Sequence, residues 1–394
     1  MPTVAAGDGV GVPRCFLIPL ARSLCHTPRM WKRKGTLLLI VLGLLAVGLL
    51  WITSRKPEPT YEGHSLSYWV LRDDAYHERS GERRQAEQAI RHIGTNALPF
   101  LLKWVQNERP AWRSEAIDFA RRLPTWTLAN WMERNQSETF ANNSSGALSA
   151  LGEQATPILP ELLRLLANSP TMSSTALRIS SVLPAIGTNA LPALISAIED
   201  PAFSANRGYV LMAIRDIHPP PAAAAAAVPV LIHCLSESNL PHMAADTLGS
   251  LGAAPDRAVP ALMACLQSPN QELRWASVEA LGNFGTNSLA AVPALIHCLH
   301  YGNSEVASEA AKTLGKIGLE PNLVIPALAS AIQRDDAGIS ISAVIALGTF
   351  GAQATNEVPL LTGLLSDPVW QVRIQASKAI EHITGRAPTN PPAQ

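Results

Sequence analysis

The sequence has 394 residues, a length that excludes one small compact domain and favours several domains or a repeat array. Of these residues 47% are hydrophobic and only 5% aromatic, a composition that favours closely packed helices over sheets. The formal net charge is zero, but residues 1–58 hold eight of the 31 Lys and Arg residues and two of the 31 Asp and Glu residues. The remaining body therefore carries an excess of acid, which excludes nucleic acid as an expected partner.

The predicted elements begin with a membrane anchor. Residues 36–53, TLLLIVLGLLAVGLLWIT, contain no charged side chain, and as a helix they would rise about 27 Å, close to the roughly 30 Å hydrocarbon core of a bilayer. More basic residues precede this stretch than follow it, which favours a cytoplasmic N-terminus and a C-terminal body outside the cytoplasm. A cleaved signal peptide, which would leave the body secreted, is the alternative.

The chain is predicted to have five parts. They are a disordered leader (1–29), a transmembrane anchor (30–53), a polar tether (54–63), a body of repeats (64–386) and a disordered tail (387–394). Met30, followed by WKRKG, would make a conventional start, in which case the leader is not translated.

A period of about 33 residues runs through the body. Its first marker is a proline in motifs such as VPAL, and its second is a glycine that in five units lies eight residues before that proline. The prolines are Pro160, Pro192, Pro229, Pro260, Pro293, Pro326 and Pro359, and the glycines are Gly152, Gly252, Gly285, Gly318 and Gly351. Two markers that keep one register indicate a repeat array. Earlier copies are predicted at Ser65 and Pro99, with a degenerate copy around Asn130.

Each unit is predicted to contain two helices. The first begins near the marker proline, whose missing N–H is tolerated in a first turn, and Val292, Leu295, Ile296 and Leu299 lie along one face of such a helix. The second helix ends at a glycine suited to a left-handed C-cap. Neither helix can bury its apolar face alone, so neighbouring units must stack. The predicted fold is an all-α superhelix of about ten helix pairs.

The repeats resemble a known family. The segment LLSDPVWQVRIQASKAI (364–380) is similar to the core of HEAT repeats, and LQSPNQELRWASVEALGNFG (266–285) is nearly as similar. The repeats resemble in particular the bacterial HEAT-like kind that also occurs in phycobilisome lyases, and YEGHSLSYW (61–69) resembles the entry segment of membrane-anchored bacterial members. The resemblance implies an ARM/HEAT-type solenoid, a fold that hosts many unrelated functions, and together with residues 36–53 it leads us to expect a protein anchored in a bacterial cytoplasmic membrane.

Three local features break the regular period. The segment NQSETFANNSSG (135–146) is expected to form a bulging loop. The segment HPPPAAAAAA (218–227) is expected to lead into an extended first helix. Five of the nine tryptophans, Trp69, Trp104, Trp112, Trp126 and Trp131, fall in the first units. They are expected either to contact a partner protein as interface anchors or to cover the end of the stack, where no further repeat packs.

An adjacent His–Cys pair occurs twice, at His233–Cys234 and His297–Cys298. Adjacent helical residues do not face one another, so the pair cannot form a thiolate–imidazolium couple. Cysteines on helices about 8–10 Å apart cannot share one zinc ion. We therefore expect exposed histidines beside half-buried cysteines, with no metal site, catalytic residue or cofactor.

The predicted function is a non-enzymatic scaffold that binds a protein or peptide, with no small-molecule substrate. Two rows of residues on the second helices are candidates for the binding surface. One row contains Asp246, Glu279, Lys312, Ile345 and Lys378, and its neighbour contains His242, Trp275, Ser308, Ile341 and Ile374. Of these, Asp246, Trp275, Glu279, Lys312 and Lys378 are the predicted partner-binding residues. The alternative function is an enzyme or chaperone of the bilin-lyase kind that handles a tetrapyrrole.

Overall fold

The computed structural model describes residues 57–72, 80–107, 136–236 and 240–387. The chain divides into two units, Met1–Pro57 and Glu58–Gln394, and the fold described below belongs to the second. The predicted leader (1–29) and anchor (30–53) lie outside the described residues, as does the tail beyond Ala387.

The second unit is almost entirely helical. A short antiparallel hairpin, β1 (Thr60–Tyr61) and β2 (His64–Ser65), precedes the helices. In chain order the helices are α1 (Leu66–Arg72), α2 (Ser80–Ile93), α3 (Leu98–Val105), α4 (Gln136–Leu151), α5 (Leu159–Asn168), α6 (Ser174–Val182), α7 (Leu191–Glu199), α8 (Arg207–Ile217), α9 (Pro221–Cys234), α10 (Pro241–Leu251), α11 (Pro255–Cys265), α12 (Gln271–Asn283), α13 (Val292–Tyr301), α14 (Ser304–Ile317), α15 (Pro321–Ile332), α16 (Ala337–Thr349), α17 (Val358–Gly363) and α18 (Trp370–Thr384). Short 3₁₀ segments connect several of them, namely Gly94–Ala97, Gly152–Ile158, Leu183–Ala190, Pro201–Phe203, Gly285–Ala291, Gly351–Glu357 and Leu364–Ser366.

These helices form nine pairs within the described residues, and the pairs stack. Each odd-numbered helix is the first of its pair and packs against the even-numbered second helix that follows it. Each second helix also packs against the second helix of the next pair, from α2 through to α18. One continuous apolar core runs through the stack. The all-α superhelix predicted from the period is therefore confirmed.

The local signals that define each unit act as the sequence predicts. In α13, Val292, Leu295 and Leu299 are buried, which is the predicted apolar face. The second helices α10 and α14 end at Gly252 and Gly318, whose φ angles of 57° and 63° are left-handed. A glycine adopts this conformation without the steric penalty that a Cβ would cause.

The marker prolines do not all begin a helix. Pro229, Pro260 and Pro326 lie inside α9, α11 and α15. Each of these helices instead begins at an earlier proline, Pro221, Pro255 or Pro321, which supplies the fixed φ of a first turn. The extended first helix expected after residues 218–227 is α9, so that prediction is confirmed.

The expectation of a loop at residues 135–146 is wrong, because Gln136–Leu151 is the helix α4. Its polar residues make hydrogen bonds that a helix allows. Asn143 Nδ2 donates to the Val70 carbonyl at 2.9 Å, and Ser145 Oγ donates to the Asn142 carbonyl at 2.6 Å. The Asn and Ser content predicted a turn, since these side chains compete with the helical backbone, but tertiary packing decides otherwise.

Helix α4 serves as the second helix of the pair that begins with α3. It packs directly on α2, and Arg91 Nε of α2 donates to the Ala150 carbonyl of α4 at 2.9 Å. The degenerate copy predicted around Asn130 lies outside the described residues.

The described body starts inside the predicted tether (54–63). Leu66 N donates to the Pro59 carbonyl at 3.0 Å, and Trp69 Nε1 donates to the Tyr61 carbonyl at 3.3 Å. These bonds fold the β1–β2 hairpin against α1, so residues from Glu58 onward belong to the folded unit.

One described stretch, Ser174–Glu199, is long and apolar enough to cross a membrane by length and composition alone. It consists of α6, a 3₁₀ segment and α7, and the chain kinks at Gly187, where φ is 76°. Its helices pack within the repeat stack. The predicted anchor at residues 36–53 lies outside the residues searched.

Candidate functional site

The second helices present the two predicted rows at equivalent positions of successive repeats. The row of Asp246, Glu279, Lys312, Ile345 and Lys378 takes one residue from each of α10, α12, α14, α16 and α18. All five side chains keep some exposure: the first two are half-buried and the last three exposed. We call the surface formed by this row and by the neighbouring row of His242, Trp275, Ser308, Ile341 and Ile374 the second-helix face.

A cavity of about 480 Å³ opens at the acidic end of the second-helix face. Its lining residues come from α10, α12 and α14 and are His242, Asp246, Gln271, Glu272, Trp275, Ala276 and Glu305. We call it the Trp275 cavity, because 36% of the Trp275 side chain is exposed there. The structure thus brings together Asp246 and Trp275, two of the predicted partner-binding residues.

Polar contacts connect the three helices around the Trp275 cavity. His242 Nδ1 of α10 lies 3.6 Å from Glu272 Oε2 of α12. Gln271 Nε2 of α12 donates to Glu305 Oε2 of α14 at 2.6 Å. Helix α12 begins at Asn270, whose side chain caps it by accepting from Leu273 N at 3.2 Å, and this cap places Gln271 and Glu272 in the first turn beside the cavity.

Burial disfavours the ionised form of two carboxylates, Asp246, which lines the cavity, and Glu279, which lies outside it. Burial raises the pKa of the Asp246 carboxyl, although His242 and Arg215 act in the opposite direction. Its Oδ1 is buried and has no hydrogen-bond partner. Burial also raises the pKa of Glu279, and the carboxylates of Glu309 and Asp246 add to that rise. Desolvation and like charge both disfavour an ionised carboxylate.

The other three predicted residues do not line the cavity. The charge of Asp246 raises the pKa of Glu279, but Glu279 does not line the cavity. Lys312 Nζ pairs with Glu309 Oε2 of its own helix at 2.9 Å. Lys378 is exposed on α18, three repeats beyond Trp275. Between Lys312 and Lys378 the row is apolar, since α16 has no charged residue and 43% of Ile345 is exposed.

Sequence reasoning missed three polar residues of the cavity, Gln271, Glu272 and Glu305. A signal for two of them exists, because Glu272 and Glu305 are 33 residues apart and occupy the same first-turn position of consecutive second helices. The two predicted rows follow the middle of each helix, and a third row at the N-terminal turn would have found this pair.

The His–Cys pairs are separated as expected, but their cysteines are more deeply buried. His233 and His297 are exposed, while Cys234 and Cys298 are 2% and 5% exposed instead of half-buried. Burial raises the pKa of Cys298, and of Cys265 in the intervening repeat, so both remain thiols at neutral pH. Among the described residues no group of three or more His, Cys, Asp or Glu side chains is arranged to hold a metal ion.

Two of the clustered tryptophans pack within or against the core, Trp69 buried and Trp104 half-buried. Trp69 is 3% exposed and lies edge-on to Tyr68 at a centroid distance of 5.2 Å, and Trp104 packs on Phe140 of α4 at 5.4 Å. For these two residues the structure favours packing at the end of the stack. Trp112, Trp126 and Trp131 lie outside the described residues.

Two arginines at equivalent positions of their repeats, Arg274 and Arg373, form hydrogen bonds within their own repeats. Arg274 Nη1 donates to the carbonyls of Ser268 and Pro269, at 2.7 and 3.1 Å. Three repeats further along, Arg373 Nη1 donates to the carbonyls of Asp367 and Pro368 in the same way, at 3.0 and 3.2 Å. Each arginine therefore secures the turn between the two helices of its pair.

Comparison with known proteins identifies the repeat. A family model described as HEAT repeats matches residues 191–282, 228–300 and 259–341, and a second described as HEAT repeat matches residues 358–385. No curated protein matches this chain.

Solved structures give the same fold. The crystal structure of Kap121p superposes with a TM-score of 0.51 at 12% identity, over 82% of this chain and 42% of Kap121p. Kap121p bound to Nup53p gives 0.51 at 11% identity, over 82% and 42% of the two chains. This chain thus spans about two fifths of the length of Kap121p, and at such identities the similarity concerns the fold alone.

Proposed function

We propose that this chain, which is a HEAT-repeat protein, is a membrane-tethered scaffold without enzymatic activity that binds a protein or peptide on its second-helix face. The proposal includes a location. Residues 36–53 would anchor the chain in a bacterial cytoplasmic membrane, with the N-terminus inside and the repeats outside the cytoplasm.

One observation carries the proposal. Five successive second helices present a side chain at one position, and the row changes along the stack from two acidic residues, Asp246 and Glu279, to the basic Lys312 and Lys378, with the apolar Ile345 between them. A rigid surface that repeats every helix pair suits an extended protein partner, because each unit can contact a different part of it. Kap121p, which shares the fold, has been solved bound to another protein, Nup53p.

The absence of enzymatic activity is supported by the state of the cysteines. A nucleophilic cysteine needs a lowered pKa and access to a substrate. Cys298 and Cys265 have the opposite property, since burial raises the pKa of each.

Binding can be tested by affinity capture with the full-length chain from detergent-solubilised membranes. Ile345→Asp places a charge in the apolar part of the second-helix face and should abolish retention of a partner that binds there. Leu323→Asp is the matched control, because Leu323 is also exposed, at 52%, but belongs to the first helix α15. Equal loss with both variants, or with neither, would contradict the assigned face.

The location can be tested by protease digestion of intact cells whose outer layers are permeable to the protease. The repeats should be digested while the cytoplasmic membrane is still sealed, and an N-terminal tag should survive. Digestion of the repeats only after that membrane is broken would overturn the proposed orientation.

A further inference from the structure

The Trp275 cavity has an excess of negative charge. Asp246, Glu272 and Glu305 each line it, and none of its lining residues is Lys or Arg. The nearest basic group in the lining is His242, whose Nδ1 lies 3.6 Å from Glu272 Oε2. A cavity bounded by carboxylates and apolar walls concentrates their field at its mouth.

Nearby cations are engaged with other carboxylates. Arg215 Nε contacts Asp216 Oδ1 at 2.8 Å, and Lys312 Nζ contacts Glu309 Oε2 at 2.9 Å. Asp246 Oδ1 is meanwhile buried without a hydrogen-bond partner. None of the three cavity carboxylates forms an ion pair with a lysine or arginine among the described residues.

Trp275 gives the cavity a second property. Its side chain is 36% exposed among these carboxylates. The face of an indole ring attracts a cation that lies within about 6 Å of its centre. A guanidinium group is planar, so it can stack on an indole and donate to a carboxylate at its edge at the same time.

We propose that the Trp275 cavity receives an arginine or lysine side chain from a basic segment of the partner protein, with the cation against the Trp275 ring and its N–H groups donating to Glu272 and Glu305. This inference rests on the proposed function, because it states the chemistry of the partner that the second-helix face binds. The volume of about 480 Å³ is within the range of cavities that enclose a small ligand, so a whole side chain and its adjoining backbone can enter.

The geometry favours this occupant over a metal ion. A bound metal needs three or more ligating groups around one point, and the described residues contain no such group. In the Trp275 cavity the carboxylates come from three successive second helices, and an aromatic ring also lines it. That spread matches the several N–H donors of a guanidinium better than a single ion.

The test measures binding of labelled peptides to the full-length chain in detergent, by fluorescence anisotropy. The probe is a flexible Gly–Ser peptide that contains several arginines, and its control contains citrulline, the neutral analogue, in their place. Two variants remove the proposed contacts, the double variant Glu272→Gln with Glu305→Gln, and Trp275→Ala. Asp335→Asn and Trp370→Ala are the matched controls, because these residues are exposed and do not line the cavity.

The arginine peptide should bind and the citrulline peptide should not. We expect the double variant to weaken binding about tenfold, and Trp275→Ala about fivefold to tenfold, while both control variants leave the affinity unchanged. Binding should also weaken with added salt. Equal binding of the citrulline peptide, or equal losses in the cavity and control variants, would overturn the proposal.

Competition experiments distinguish the remaining occupants. If spermidine or choline displaces the arginine peptide at similar concentrations, the cavity is a site for small cations and the proposal is wrong. If no basic peptide binds but a captured partner is still lost with Ile345→Asp, the second-helix face binds a protein and only the cationic assignment is wrong. If no basic peptide binds and Ile345→Asp still retains the captured partner, the proposed function itself is contradicted.

Discussion

Gly249 of α10 lies directly against Ala280 of α12. A Cβ built on Gly249 would come within 2.6 Å of the Ala280 Cα and 2.8 Å of its Cβ. The same approach recurs further along the stack of second helices, where a Cβ on Gly315 would lie 3.0 Å from Ala346 and one on Gly348 would lie 3.3 Å from Ala379. A small residue on each side thus sets the distance between these consecutive repeats.

Gly249→Ala should destabilise the protein by about 1–3 kcal/mol, since overpacking forces the two helices apart. Gly363→Ala is the control, because Gly363 is helical and a Cβ added there would meet no atom within 4 Å. There alanine should be neutral or slightly stabilising. Denaturant unfolding of the full-length chain measures both, and equal stability of the two variants would contradict the close contact.

Asp246→Asn should stabilise the folded protein at neutral pH. Burial raises the pKa of Asp246 above its ordinary value of 3.8, so the folded protein holds this proton to higher pH than the unfolded chain does. Stability therefore falls as the pH rises through that interval, and the carboxylate is unfavourable above it. The gain from asparagine should disappear below the ordinary value. Unfolding curves across acidic and neutral pH measure the difference, and a gain that persists in acid would contradict this cause.

Asp336 should show the opposite pH dependence. A hydrogen bond from Ser304, followed by one from Ile339 N at 3.0 Å, lowers the pKa of this carboxyl, which caps α16. Its contribution is present above the ordinary value of 3.8 and is lost as the pH falls through the lowered folded-state value.

Asp336→Ala should accordingly cost about 1 kcal/mol at neutral pH and less in acid. Asp336→Asn retains a capping oxygen without a charge, so its stability relative to the alanine variant should not change with pH. Thermal unfolding at several pH values measures this. A constant difference between wild type and the alanine variant would contradict the assigned cause.

Arg178 should be important for the N-terminal repeats. It is 6% exposed, and its Nε donates to Asn142 Oδ1 at 2.7 Å while its Nη1 donates to the Asn107 carbonyl at 3.1 Å. Arg178→Ala should cost about 2–3 kcal/mol, because hydrogen bonds to a buried charged group are strong.

Arg164→Ala is the control for Arg178, since Arg164 is exposed and pairs with Glu161 three residues earlier. Exposed pairs contribute at most about 1 kcal/mol. Unfolding followed by tryptophan fluorescence can compare the two variants. A similar small loss in both would show that Arg178 does not hold these helices together.

The helix pairs could be predicted from the sequence because their signals are local. The marker glycines and the spacing of residues such as Leu295 and Leu299 depend only on helical geometry. Helix α4 could not be predicted in this way. Its Asn143 is satisfied by the Val70 carbonyl, 73 residues earlier in the chain, and no local pattern contains that contact.

The candidate site was predictable in part for the same reason. Asp246 and Trp275 follow the period and lie in the two neighbouring rows. That they line one cavity with Glu272 and Glu305 depends on how far α10, α12 and α14 turn relative to one another. The period fixes which positions are equivalent but does not fix that rotation.

The glycine-to-alanine contact gives these consecutive second helices the same packing interface. Since the same small pair recurs at each junction from α14 to α18, a whole unit can be inserted or deleted in evolution without altering how its neighbours meet. The length of the scaffold and the chemistry of its outward side chains can then diverge independently, so related proteins can acquire new partners while keeping the same packing interface.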